Sequence, residues 1–166
     1  MLSIKKASTA DIELIREITK HTWAKTYIPI LGIKQVEYML ELFYHPDALR
    51  EQIETQKHTF LICFDEDRAV AFASFSKTGP GKYKLHKLYI LPDLQGKGIG
   101  RFIVNHVVTE LKTQNGQMLM LNVNRYNTQA INFYNKYGFK MVKEEDIDIG
   151  NGYFMNDYVL GFNIPE

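Results

Sequence analysis

The sequence has a single cysteine, Cys63, in 166 residues. One cysteine excludes an intramolecular disulfide framework. Its setting, Phe60-Leu61-Ile62-Cys63-Phe64, is apolar, which favours a buried structural thiol over a nucleophile. No apolar run approaches the roughly 20 residues that a membrane-crossing helix needs. The amino terminus, Met1-Leu2-Ser3-Ile4-Lys5-Lys6, carries no apolar export signal. These absences predict a cytoplasmic protein with no membrane partner. An excess of one charge is also missing: 20 Lys and Arg face 19 Asp and Glu, a formal net charge of +1. A general nucleic-acid binder needs a basic excess to neutralise phosphates, so no nucleic-acid partner is expected. The five histidines, His21, His45, His58, His86 and His106, lack metal-ligand spacing and no His-Glu-x-x-His occurs, so no metal is expected. A Gly-x-Ser-x-Gly nucleophile elbow is absent too.

What is present is a globular composition, 45% hydrophobic, in a length that suits one domain over 1–166. Ser8 to Asp11 forms a Ser-x-x-Asp capping box. Ile12, Leu14, Ile15 and Ile18 follow at helical spacing, predicting a helix to about His21. Pro29 and Gly32 interrupt the pattern, and Trp23 and Tyr27 fall between. Helices are predicted over 35–43 and after Pro46. Thr59–Phe64 and Ala69–Phe75 read as a hairpin across Asp65-Glu66-Asp67-Arg68. Tyr83–Leu91 reads as a strand. Ile99, Phe102, Ile103, His106, Val107 and Leu111 place a helix from the following glycine segment to Asn115-Gly116, with His106 among its apolar positions. Met118–Val123 is a continuous apolar strand, Asn127–Tyr137 a short helix, and 139–142 and 153–162 are strands. The acidic cluster Glu144, Glu145, Asp146 and Asp148, near the carboxyl-terminal hairpin, reads as a solvated surface turn, with attraction of a cationic acceptor such as a polyamine as the alternative. The order predicts a mixed α/β domain with helices on both faces of one twisted sheet.

The segment Gln95-Gly96-Lys97-Gly98-Ile99-Gly100-Arg101 joins a strand to a helix. Unpaired N–H groups of the first helical turn and the helix dipole attract phosphate there. Glycine matters because a Cβ blocks close approach of backbone to phosphate. Lys97 and Arg101 add full charges. A Walker loop requires Ser or Thr after Gly-Lys, and a dinucleotide fingerprint beginning at Gly96 requires glycine at position 101. The sequence has Gly98 and Arg101 at these places, so neither pattern fits.

These residues resemble the GNAT family of N-acetyltransferases, whose pyrophosphate signature Gln/Arg-x-x-Gly-x-Gly/Ala is matched by Gln95 to Gly100. A second stretch, Asn127-Thr128-Gln129-Ala130-Ile131-Asn132-Phe133-Tyr134-Asn135-Lys136-Tyr137-Gly138-Phe139, is similar to the family's Asn-x-x-Ala-x-x-Phe-Tyr-x-x-x-Gly-Phe helix. The resemblance is firm over about 85–142 and looser over the amino-terminal helices. It implies a mostly antiparallel sheet in which one parallel strand pair, 83–91 and 118–123, splays apart to admit acetyl-CoA. It implies that the backbone of Leu88, Tyr89 and Ile90 pairs with the pantetheine arm like an added strand. Gln95, Gly96, Lys97, Gly98, Ile99, Gly100 and Arg101 would then hold the pyrophosphate through backbone N–H groups. Asn127 would bond the pantetheine, Lys136 would reach a phosphate, and Tyr134 would sit beside the thioester sulfur. Trp23 and Tyr27 fall where family members often build the acceptor wall, and core packing accounts for them equally. Dimers are common among similar proteins.

The chemistry so implied moves an acetyl group to a primary amine by direct attack. A lysine-like amine has a reference pKa near 10.4, so neutralising it at pH 7 costs roughly 4–5 kcal/mol. A base or a water chain must take that proton. Some family members use a glutamate on the strand before the glycine loop. Here that strand reads Leu85-His86-Lys87-Leu88-Tyr89, and His86 is the candidate base. Tyr134 is the candidate group for stabilising or protonating the departing thiolate. The expected acceptor is a polyamine or other small amine. A protein amino terminus or lysine is the next reading, and a catalytically silent acyl-CoA sensor is the reading from another class.

Overall fold

The computed structural model describes residues 1–166. Hydrogen bonding orders its seven strands β1 (Leu2–Lys6), β2 (Thr59–Asp65), β3 (Arg68–Gly79), β4 (Lys82–Ile90), β5 (Met118–Asn124), β7 (Tyr153–Asn163) and β6 (Lys140–Gly150) in that sequence across the sheet, mostly antiparallel, with β4·β5 the parallel pair. No helix is long and apolar enough to cross a membrane. The chain divides into two units, Met1–Ser76 with Lys87–Val104, and Lys77–His86 with Asn105–Glu166.

In the first unit, β1 (Leu2–Lys6) pairs with β2 (Thr59–Asp65), setting Ile4 opposite Cys63. The short Leu2-Ser3-Ile4-Lys5 alternation was too brief to signal a strand against the basic residues that follow it. The capping box forms as its spacing predicts. Ser8 accepts from Ala10 N, Asp11 accepts from Ser8 N, and the turn Thr9–Asp11 leads into α1 (Ile12–Thr26). This helix passes the predicted end at His21 because its buried stripe continues through Ile15, Ile18, Thr19, Thr22 and Trp23. Polar members of the stripe are satisfied internally: Thr19 and Thr22 donate to the carbonyls of Ile15 and Ile18.

Helices α2 (Ile28–Leu31), α3 (Ile33–Tyr44) and α4 (Pro46–Glu54) follow. The carbonyls that end α3 are met by side chains. Arg16 donates to Tyr44 O, and Gln52 donates to Phe43 O. Strands β2 and β3 (Arg68–Gly79) form the predicted hairpin, with Glu66 at φ 52 in its turn. Ile15, Leu49, Phe60, Ile62, Val70 and Phe72 are fully buried, each contributing about 1.5–3 kcal/mol on removal from water.

In the second unit the first residues of β4 (Lys82–Ile90) pair parallel with β5 (Met118–Asn124), from Lys82↔Met118 to Leu85↔Leu121. The ladder ends there, while β4 runs on to Ile90 and β5 to Asn124. On its other side β5 pairs with β7 (Tyr153–Asn163) from Met118↔Asn163 to Asn124↔Asp157. Beyond β7 lies β6 (Lys140–Gly150), the edge strand. Helix α6 (Thr128–Tyr137) ends at Gly138, φ 124.

Two expectations are corrected here. Glu144, Glu145, Asp146 and Asp148 lie within β6, paired with Tyr158, Asp157, Asn156 and Phe154. They form no turn: the turn lies at Asn151 and Gly152, both at positive φ, and charges on an edge strand deter further pairing. His106 is exposed and sits 3.9 Å from Glu110. The buried stripe of α5 (Ile99–Thr113) is Ile99, Ile103, Val104, Val107, Val108 and Leu111, and His106 falls just beside it.

Candidate active site

The glycine segment belongs to the first unit. Leu91 N donates to Val70 O, which fixes the end of β4. Pro92–Leu94 then makes one 3₁₀ turn, for which proline's fixed φ is suited. The Gln95 amide donates back to Ile90 O at 3.1 Å, so this side chain closes the turn. Gly96 and Gly98 both adopt positive φ, +79° and +86°, and a Cβ built on either meets nothing within 4 Å. The glycines therefore supply a backbone turn that most residues resist, and they face open space. Helix α5 begins at Ile99, and Phe102 N donates to Gly98 O as its first turn closes. Lys97 and Arg101 are exposed beside it. The arrangement is a helix amino terminus with bare backbone N–H groups, an unobstructed approach and two cations, which suits a phosphate group.

Leu88, Tyr89 and Ile90 are half-buried on β4. The Tyr89 ring meets those of Trp23, Tyr27 and Phe72 at 5.9, 6.4 and 5.7 Å. Trp23 also contacts Tyr27 and Tyr44 edge-on at 5.0 and 5.3 Å, pairs worth about 0.5–1.5 kcal/mol beyond burial. Trp23 is therefore core, while Tyr27 is half-buried. Burial pushes the Tyr44 hydroxyl well above its usual range, against opposing hydrogen bonds with Tyr89 and Thr19. Lys87 lies over the rings of Tyr44 and Phe60 and donates to Gln52 at 2.8 Å.

His86 and Tyr134 fall in the second unit. His86 is half-buried on β4, one residue past the last parallel rung. Tyr134 is 8% exposed on α6, its ring edge-on to Phe133 at 5.2 Å and Phe139 at 5.4 Å. Asn127 caps α6, its Oδ1 accepting from Ala130 N, and Lys136 is exposed in the last turn. Cys63 is buried, and that burial pushes its thiol up to about 11, so it is a poor nucleophile.

One polar group escaped the sequence reading. Asp157 on β7 is 6% exposed, and Asn122 Nδ2 donates to its Oδ2 at 3.3 Å and to Glu145 Oε2 at 3.0 Å. Burial raises the Asp157 carboxyl above its usual range, outweighing the Asn122 bond and the fields of Lys84 and Arg125. A lone acid in the mostly apolar run 153–162 was the available signal.

The sequence profile of the Acetyltransferase (GNAT) family matches residues 17–139. The chain is 28% identical over 158 residues to the spermidine N(1)-acetyltransferase of Thermoplasma acidophilum, covering 93% of this chain and 95% of that one. It is 37% identical over 84 residues to the peptidyl-lysine N-acetyltransferase YjaB of Salmonella typhimurium, 51% of each chain. Its structure superposes with a TM-score of 0.83 on the PaiA N-acetyltransferase of Thermoplasma acidophilum in complex with coenzyme A, at 25% identity and over 98% and 99% of the two chains. The matched profile and the superposed coenzyme A complex make this an acyltransferase that uses acetyl-CoA, and the chain belongs to the acetyltransferase (GNAT) family.

Proposed function

We propose that residues 1–166 form one cytoplasmic N-acetyltransferase domain that moves the acetyl group of acetyl-CoA directly to the primary amine of a polyamine or similar small amine. The open cradle at Gly96 and Gly98 carries this reading: positive φ, no obstruction to a Cβ, and a helix start behind it. The acceptor class follows the relative that matches almost the whole chain, a spermidine acetyltransferase. The lysine-directed relative matches half of it.

In this reading the backbone of Leu88, Tyr89 and Ile90 holds the pantetheine arm. Gln95 to Arg101 hold the pyrophosphate, with Asn127 and Lys136 as further contacts. His86 takes the proton of the acceptor ammonium, whose lone pair then attacks the thioester carbonyl. The C–S bond breaks, and Tyr134 donates a hydrogen bond or proton to the sulfur. Proton transfer from a tyrosine (reference about 10) to a thiolate (about 8.5) is uphill by roughly 2 kcal/mol, so the hydrogen bond carries much of the effect. Calorimetric titration with acetyl-CoA, with ATP and NAD as controls, tests the cradle. Selective micromolar binding of acetyl-CoA, followed by thiol release with spermidine, is expected. Absence of acetyl-CoA binding refutes the reading.

A further inference from the structure

We infer that Asp157 receives a second positive charge on the acceptor, and so selects amines that carry two or more charges over simple monoamines. This rests on the reading of the chain as a small-amine acetyltransferase.

Buried carboxylates are ordinarily paired with a cation or held by several donors. Asp157 has neither. It is 6% exposed, its Oδ2 has one donor, the neutral amide of Asn122, and its Oδ1 has none. Two cations, Lys84 and Arg125, act on it through their fields, and neither forms an ion pair with it. Arg125 is committed to Glu144 and Asp146, which leaves Lys84 as the cation that a bound ammonium would join. A second polar side chain lies on the same rung of the sheet. Asn124, directly opposite Asp157 and 8% exposed, accepts at its Oδ1 from Tyr126 N.

The place also suits a ligand. The rung Asn124↔Asp157 stands at the carboxyl end of β5, beyond the last parallel rung at Leu121. Ligands of α/β sheets gather outside the carboxyl ends of parallel strands. Asn127 and α6, which carries Tyr134, follow within a few residues. Along the same face of the β6·β7 hairpin, Glu145 is opposite Asp157, and Ile147 is opposite Met155. Ile147 and Met155 are half-buried, an apolar surface for the methylene chain between two amines. An ammonium brings three donors and no acceptor, which matches Asp157 Oδ1 and the partly committed Glu145.

The test uses Asp157→Asn, Asp157→Glu and, on the more exposed strand, Glu145→Gln. Spermidine is titrated into coenzyme-free protein by calorimetry, and kcat/KM is measured for spermidine and for an n-alkyl monoamine of similar length. Loss of one hydrogen-bonded charge contact predicts that Asp157→Asn lowers the spermidine-to-monoamine ratio of kcat/KM by about tenfold or more. Spermidine binding should fall in parallel, Asp157→Glu should recover part of the ratio, and Glu145→Gln should give a smaller drop. Equal spermidine binding by wild type and Asp157→Asn overturns the inference, as does an unchanged ratio. Failure of the wild type to bind acetyl-CoA is a separate result, which removes the acetyltransferase reading instead.

Discussion

Gly98→Ala separates what the glycine loop does for the fold from what it does for a ligand. Gly98 has φ +86°, and an added Cβ meets nothing within 4 Å. The cost to the unliganded protein is therefore backbone strain alone, about 1–2 kcal/mol for an L-residue held in left-handed space. For a chain of this size that lowers Tm by roughly 2–8 °C. The effect on acetyl-CoA should be larger in kind. The new methyl projects into the space that a phosphate must enter to reach the backbone N–H groups. Losing one or two hydrogen bonds to a charged group, at about 1.5–3 kcal/mol each, raises Kd by at least about tenfold. Gly152 supplies a matched control in the β6–β7 turn. It has φ +77° and likewise nothing within 4 Å of a Cβ, so Gly152→Ala carries the same strain with no phosphate nearby. Thermal unfolding and acetyl-CoA calorimetry on both variants, well below their Tm values, are the assay. Similar losses of Tm with weakened binding only in Gly98→Ala are expected. Wild-type affinity in Gly98→Ala, or an equal loss in Gly152→Ala, would refute the reasoning.

Tyr134→Phe should lower kcat with little change in KM for acetyl-CoA, and a raised KM at constant kcat would assign the hydroxyl to binding instead. Cys63→Ala should keep a normal rate, because the buried thiol titrates near 11 and attack is direct; an abolished rate would indicate an acetyl-enzyme on sulfur. Asp157 has a folded-state carboxyl raised by burial above its ordinary value of 3.8. The folded state then holds its proton more tightly than the unfolded state, so stability present at low pH is lost as pH rises through that window. Asp157→Asn should remove this slope and match or exceed wild-type stability near neutral pH. Denaturant unfolding from roughly pH 4 to 8 reads it, and a less stable variant at neutral pH would count against an unmet charge at this site.

Why some parts were legible in the sequence and others were not follows from the range of the forces involved. The glycine turn and the helix start after it were legible because their determinants are local: positive φ at Gly96 and Gly98, and a helical period starting at Ile99. The hairpin of β2 and β3, the cap at Ser8 and the stop at Gly138 are local in the same sense. The errors came where a neighbouring strand or helix decides. Strand β1 exists because β2 pairs with it, and nothing in five residues announces that. The acids of β6 read as a turn because a run of carboxylates is ordinarily solvated; β7 holds them extended, and Lys143 and Arg125 offset their charge. His106 was misassigned because a helix stripe has two edges, and only the packed structure shows on which side of Val107 burial ends. Asp157 is the extreme case. Its burial, its link to Asn122 and its place opposite Asn124 depend on residues more than thirty positions away. On the reading proposed above, the acceptor-selecting site is assembled in that long-range manner and the coenzyme cradle is written in consecutive residues, so sequence motifs point to the donor of the reaction more readily than to its acceptor.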